Sequence, residues 1–162
     1  AVGNMRRFWP VMGLGADILM GFPGESEVET EETLAMLRAL PMTYAHVFPY
    51  SVRPGTRAAV MQNQLPKKVR QEHAARVRAL MAEKHREFLQ AQLAQPLMKV
   101  AFDSADARHG NNEWYADCRM EDDGQVRRDH ELVDVVPVRV EGNLIMVRPI
   151  GEASPSKHTA GE

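Results

Sequence analysis

Two short stretches of this 162-residue chain carry residue types suited to holding a ligand: Gly21-Phe22-Pro23-Gly24-Glu25 and Ser51-Val52-Arg53-Pro54-Gly55-Thr56. Glycines let backbone groups come close to a bound molecule, and free N–H groups at the start of a helix favour anions. The same pattern also describes a plain strand-to-helix turn in which Glu25 only favours the helix start. Arg53 offers a fixed fork of donors for a carboxylate or a phosphate. It equally suits a pair with Asp17 or a capping role. His46, on an apolar run, reads as a satisfied core histidine. Cys118 is the single cysteine, so the chain closes no internal disulfide and holds no iron–sulfur cluster or zinc through thiolates. No catalytic residue and no metal ligand is assigned within it.

The elements that position these stretches follow from the apolar pattern. Residues 16–20 and 44–50 are apolar runs that stop at glycine and proline, as buried strands do on delivering the chain to ligand-side loops. Both are apolar on both faces, which suits a parallel sheet covered by helices. Between them Ser26 and Glu29 form a capping box, and Leu34, Leu37 and Leu40 supply a core-facing stripe that ends at Pro41. Strand, helix and strand make one βαβ unit, and ligands in such folds sit at the carboxyl ends of the strands.

A long amphipathic helix is expected over 67–95, with Val77, Leu80, Met81 and Phe88 inward and a basic outer surface that includes Lys68, Arg70, Arg78 and Arg86. After Pro96 the period changes. Residues 97–102, 114–120, 133–140 and 143–150 read as short strands of a small antiparallel barrel, with Glu141-Gly142-Asn143 as a hairpin and Asp122-Asp123-Gly124 as another turn. Residues 151–162 read as a disordered tail. The domain boundaries expected are therefore 1–95, 96–150 and 151–162.

Composition bounds the function classes. The net charge is −2, but residues 67–95 carry 7 basic and 3 acidic side chains while 96–150 carry 7 and 11. No apolar run approaches the ~18 residues of a membrane span, and the start lacks a signal-peptide layout. The expectation is a cytoplasmic protein with no membrane partner.

The two glycine loops resemble a known family. Asp17-Ile18-Leu19-Met20-Gly21-Phe22-Pro23-Gly24-Glu25-Ser26 is similar to the strand-five loop of radical S-adenosylmethionine methylthiotransferases, and Tyr50-Ser51-Val52-Arg53-Pro54-Gly55-Thr56 resembles the segment after their strand six. The segment 96–150 resembles their TRAM domain. Within the family, His46-Val47-Phe48-Pro49-Tyr50-Ser51 is most similar to the branch acting on threonylcarbamoyladenosine of tRNA, with the isopentenyladenosine branch second.

The resemblance implies an α/β fold: the C-terminal strands and helices of a partial TIM-like radical enzyme barrel, followed by an OB-like TRAM barrel. It implies cofactor binding by Gly21, Phe22, Glu25, Ser51 and Arg53, with S-adenosylmethionine and 4Fe-4S clusters as cofactors of the parent enzyme. The implied reaction cleaves the cofactor reductively, removes a hydrogen from the adenine ring at position 37 of tRNA, and installs a methylthio group. The cluster cysteines are absent here, so the implied partners are tRNA and a missing N-terminal half, and the chain alone is expected to be inactive. RNA contacts are expected from Lys99, Trp114, Arg119, Arg127, Arg128 and Arg139, with Tyr115 and Arg148 nearby in sequence. The competing expectation is a noncatalytic RNA-binding module that has lost the cluster-binding half.

Overall fold

A computed structural model of the chain describes Phe8 and residues 11–103, 108–121 and 132–150. The chain divides into two compact units, Ala1–Phe88 and Leu89–Glu162, and the division falls inside the long helix rather than after it.

In the first unit, β1 (Gly15–Met20) leads to α1 (Glu27–Ala39), β2 (Tyr44–Pro49), a short 3-10 turn (Arg57–Val60) and α2 (Lys67–Gln92). The two strands pair in parallel from Gly15↔Tyr44 to Met20↔Pro49, as the βαβ reading requires. The expected capping box is present: Ser26 caps α1 and the Glu29 carboxylate accepts from the Ser26 N–H at 2.9 Å. The Ser26 hydroxyl also donates to that carboxylate, and this bond above all holds the Glu29 carboxyl below its ordinary range. Leu40 closes α1 through its N–H to the Met36 carbonyl, one residue before Pro41.

Both helices pack on one face of the sheet. Met20 and Val47 meet Leu34 and Leu37 of α1 and Ala74, Val77 and Met81 of α2 in a single core. The opposite face, with Asp17, Leu19, Tyr44, His46 and Phe48, is exposed; Leu19 and Phe48 are 50% and 51% accessible. The expectation of a sheet covered on both sides is corrected here, because among the described residues both helices lie against the same alternate positions of the strands. His46 is corrected with it: it is an exposed residue beside Tyr44, not a core histidine.

The long helix ends at Gln92, and 93–95 continue as tight i→i+3 turns. Its basic surface is also smaller than expected. Arg70 Nη1 donates to the Tyr50 carbonyl at 2.6 Å, and Arg78 donates through Nε and Nη2 to the Val47 carbonyl at 3.2 and 2.7 Å. These cations cap the backbone of β2.

The second unit is a closed five-stranded barrel, in keeping with the OB-like expectation. Its strands are β3 (Met98–Phe102), β4 (His109–Asn112), β5 (Asp117–Met120), β6 (Leu132–Glu141) and β7 (Leu144–Pro149), arranged β3-β4-β5-β7-β6. Four pairings are antiparallel or close the ring antiparallel, and β5 with β7 is parallel. Met98, Val100, Phe102, Cys118, Met120, Val135, Ile145 and Val147 fill the interior. At Gly110 a Cβ would stand 2.2 Å from the Ala101 carbonyl oxygen, so only glycine allows β3 and β4 this close. The register slips between Pro137 and Arg139, where proline cannot donate to the ladder. The β6–β7 turn forms as expected, with Gly142 at φ +60°. The turn expected at Asp122-Asp123-Gly124 and the tail 151–162 lie outside the described residues.

Candidate functional site

The parallel register brings the two glycine loops to the same end of the sheet. Tyr50 N–H donates to the Met20 carbonyl at 2.8 Å, one step beyond the last strand pair. The Phe22 ring meets the Tyr50 ring edge-on, with centroids 5.4 Å apart. Gly24 N–H donates to the Asn63 carbonyl at 3.0 Å, tying the first loop to the segment after the second. Gly21, Phe22 and Ser51 therefore share one rim.

Gly21 is required there for two reasons. Its φ is +77°, and a Cβ would stand 2.5 Å from Arg70 Cγ and 2.9 Å from Arg70 Cα. The space left by its missing side chain is thus occupied by the stem of Arg70, and the guanidinium of Arg70 lies 5.7 Å from the Tyr50 ring centre.

Glu25 turns into the loop. Its Oε2 accepts from Gly21 N–H at 2.9 Å and stands 3.4 Å from the Phe22 nitrogen, while its Oε1 accepts from Thr30 Oγ1 at 3.1 Å and lies 2.8 Å from His73 Nδ1. An ionised carboxylate only accepts, so the proton of that last bond sits on Nδ1. His73 Nε2 stands 3.7 Å from Glu27, and Arg76 pairs with both Glu27 and Glu31, which raises the Arg76 pKa above its ordinary value. A chain of polar contacts thus joins α2 to the loop through two buried residues, Thr30 and His73.

The remaining first-unit candidate, Arg53, is exposed in the turn closed by Thr56 Oγ1 on the Arg53 carbonyl at 2.8 Å. Phe22 is 39% accessible and Ser51 is exposed. Phe22 and Ser51 thus leave an apolar ring and a hydroxyl exposed at the rim, with Arg53 two residues further on in the adjoining turn.

In the barrel, the expected RNA-contacting cations differ in how free they are. Lys99 Nζ is paired with Asp134 at 2.6 Å, and Arg139 lies between Glu121 and Glu141, whose hydrogen bonds raise its pKa. Arg119 and Arg148 are exposed. Arg127 and Arg128 lie outside the described residues. Trp114 is half-buried in the β4–β5 turn, and Tyr115 beside it is 78% accessible at φ +61°, a conformation costly for a bulky residue. Buried Asn112 holds that turn: Oδ1 accepts from the Trp114 and Ala116 N–H groups at 3.0 and 2.9 Å, and Nδ2 donates to buried Gln92 at 2.6 Å.

Sequence reasoning missed His73 and Asn112, and it placed Arg70 on the outer basic surface of the long helix rather than beside Gly21 and Tyr50. A signal existed for His73: it lies four residues after Val69 and four before Val77, so a polar ring falls on the apolar stripe and needs a partner.

No protein-family model matches the chain. Threonylcarbamoyladenosine tRNA methylthiotransferase MtaB of Aquifex aeolicus is 33% identical over 94 residues, 58% of this chain and 23% of that protein. The tRNA-2-methylthio-N(6)-dimethylallyladenosine synthase of Syntrophotalea carbinolica is 32% identical over 140 residues, 86% of this chain and 32% of that one. The synthase of the same name from Streptomyces coelicolor is 44% identical over 82 residues, 51% of this chain and 16% of that one. The chain thus spans under a third of the length of each of these relatives. With its paired glycine loops and closed barrel, this chain is a homologue of the tRNA methylthiotransferases over the residues matched.

Proposed function

We propose that this chain is the C-terminal portion of a radical S-adenosylmethionine enzyme that methylthiolates a modified adenosine at position 37 of tRNA, working in the cytoplasm. The observation that carries the reading is the parallel register that sets Met20 opposite Pro49 and seats Phe22 on Tyr50. That arrangement supports one wall of a nucleoside-sized site, offered by Gly21, Phe22, Ser51 and Arg53, with Glu25 shaping the loop from behind.

S-adenosylmethionine on an iron–sulfur cluster supplies the radical chemistry in such enzymes, and this chain is not suited to hold the cluster. Its one cysteine, Cys118, is buried in the second unit, and burial pushes its thiol up to about 12. Among the described residues no three His, Cys, Asp or Glu side chains are grouped to bind a metal. The cluster ligands belong to polypeptide outside this sequence. What the chain's own residues do is position: Glu25 orients the Gly21–Phe22 amides, and Asn112 presents Trp114 and Tyr115 as stacking surfaces for RNA.

Disrupting the gene and digesting host tRNA to nucleosides tests the reading by mass spectrometry. The expected result is loss of a 2-methylthio-adenosine derivative, restored by the intact gene and not by Gly21→Val; unchanged nucleosides reject the assignment. The mass of the lost species distinguishes the threonylcarbamoyl from the isopentenyl branch.

A further inference from the structure

A cleft of ≈ 180 Å³ lies at the end of β2 and is lined by Pro49, Tyr50, Ser51, Lys67, Arg70 and Gln71. Pockets that enclose a whole small molecule run to roughly 300–1,000 Å³, so this one suits a single chemical group. Its charged lining is cationic, from Lys67 and Arg70, and no carboxylate is among its lining residues. Two buried donors remain unspent. Tyr50 is 8% accessible and its hydroxyl has no hydrogen-bond partner among the described residues; the same holds for Arg70 Nε, although Nη1 of that residue is committed to the Tyr50 carbonyl. Leaving a buried polar group unsatisfied costs about 1–3 kcal/mol, a cost that a bound acceptor removes. The first turn of α2 also contains no acidic residue to complement its positive end.

We propose that this cleft binds a phosphate group. The polar lining comes from two directions, Ser51 at the end of β2 and Lys67, Arg70 and Gln71 in the first turns of α2, and a tetrahedral oxyanion offers acceptor oxygens to both. The source of the phosphate is the tRNA backbone, a clause that rests on the function proposed above; the anion site itself does not.

The test uses the ¹⁵N-labelled 162-residue chain titrated with sodium phosphate, with sodium chloride and sodium acetate at matched ionic strength as comparisons. Saturable amide shifts at Ser51, Lys67 and Gln71 are expected with phosphate alone. Lys67→Glu should weaken phosphate binding at least about tenfold. Tyr50→Phe should weaken it several-fold without lowering the urea midpoint, since its hydroxyl has no partner to lose. Equal shifts with chloride or acetate, or unaltered phosphate affinity in both variants, overturn the proposal. A parallel arm measures tRNA filter binding over a salt series. Lys67→Ala should reduce the slope of log K against log salt by about one. Phosphate binding with an unchanged slope overturns the RNA source and leaves a free phosphate compound as occupant. Phosphate binding with no tRNA binding by any variant counts against the proposed function and not against the site.

Discussion

Gly21 and Gly24 both adopt positive φ, yet replacing them should cost different amounts. A Cβ at Gly24 meets nothing within 4 Å, so Gly24→Ala carries only backbone strain of about 1 kcal/mol. Gly21→Ala adds a clash with the Arg70 backbone, and a urea denaturation series should place it at least about 1 kcal/mol below the Gly24 variant. The same loop depends on His73. His73→Leu leaves the Glu25 carboxylate one donor short at a part-buried position and should destabilise by about 1–3 kcal/mol, whereas His73→Asn, whose amide can donate from the Nδ1 position, should recover part of that loss. Cys118 makes a pH prediction. Its thiol is neutral in the fold to about pH 12 against an ordinary value of 9.0, so the unfolded chain gives up that proton first. Its contribution to stability is therefore complete below pH 9 and is lost as pH rises toward 12. At pH 8 a thiol reagent should leave it unmodified until denaturant unfolds the barrel. The glycine loops and the capping box were legible because local rules govern them; the role of Glu25 was not, because His73 approaches from 48 positions along the chain.

Among the elements, α2 was legible from its 3.6-residue spacing, but the direction of its arginines was not. Arg70 and Arg78 reach carbonyls of β2, and only the packed partner shows that a seemingly solvated cation is serving a strand. Truncating Arg78 to alanine should cost about 1 kcal/mol through the uncovered Val47 carbonyl, measured by denaturant midpoint. β4 was missed altogether because His109-Gly110-Asn111-Asn112 has no apolar alternation; its pairing is secured by Gly110's close approach and by the Asn112 side chain. The expected strand over 114–120 was correspondingly too long, since 114–116 form the turn. Asn112→Ala removes three hydrogen bonds at a buried site and should destabilise the barrel by about 2–4 kcal/mol. It should also release Tyr115 from positive φ, visible as a changed backbone ³J coupling at that residue.

At the scale of the molecule, the first unit presents Leu19, Phe48 and Tyr44 on an uncovered sheet face. A contiguous exposed apolar surface favours association, so the 162-residue chain should self-associate with rising concentration in light scattering, and a Leu19→Lys, Phe48→Lys double variant should shift that onset to higher concentration. The barrel strands were read as short but one too few, and which of them would be neighbours was beyond local pattern, because pairing is fixed by contacts between distant segments. The barrel illustrates this in its ring order. β7 stands between β5 and β6 and joins β5 in parallel, so among the described strands the ring is open at that point without it. A nascent chain halted on the ribosome before Leu144 therefore has a gutter instead of a tube, and the barrel interior stays wet until the final strand emerges and is zipped into place.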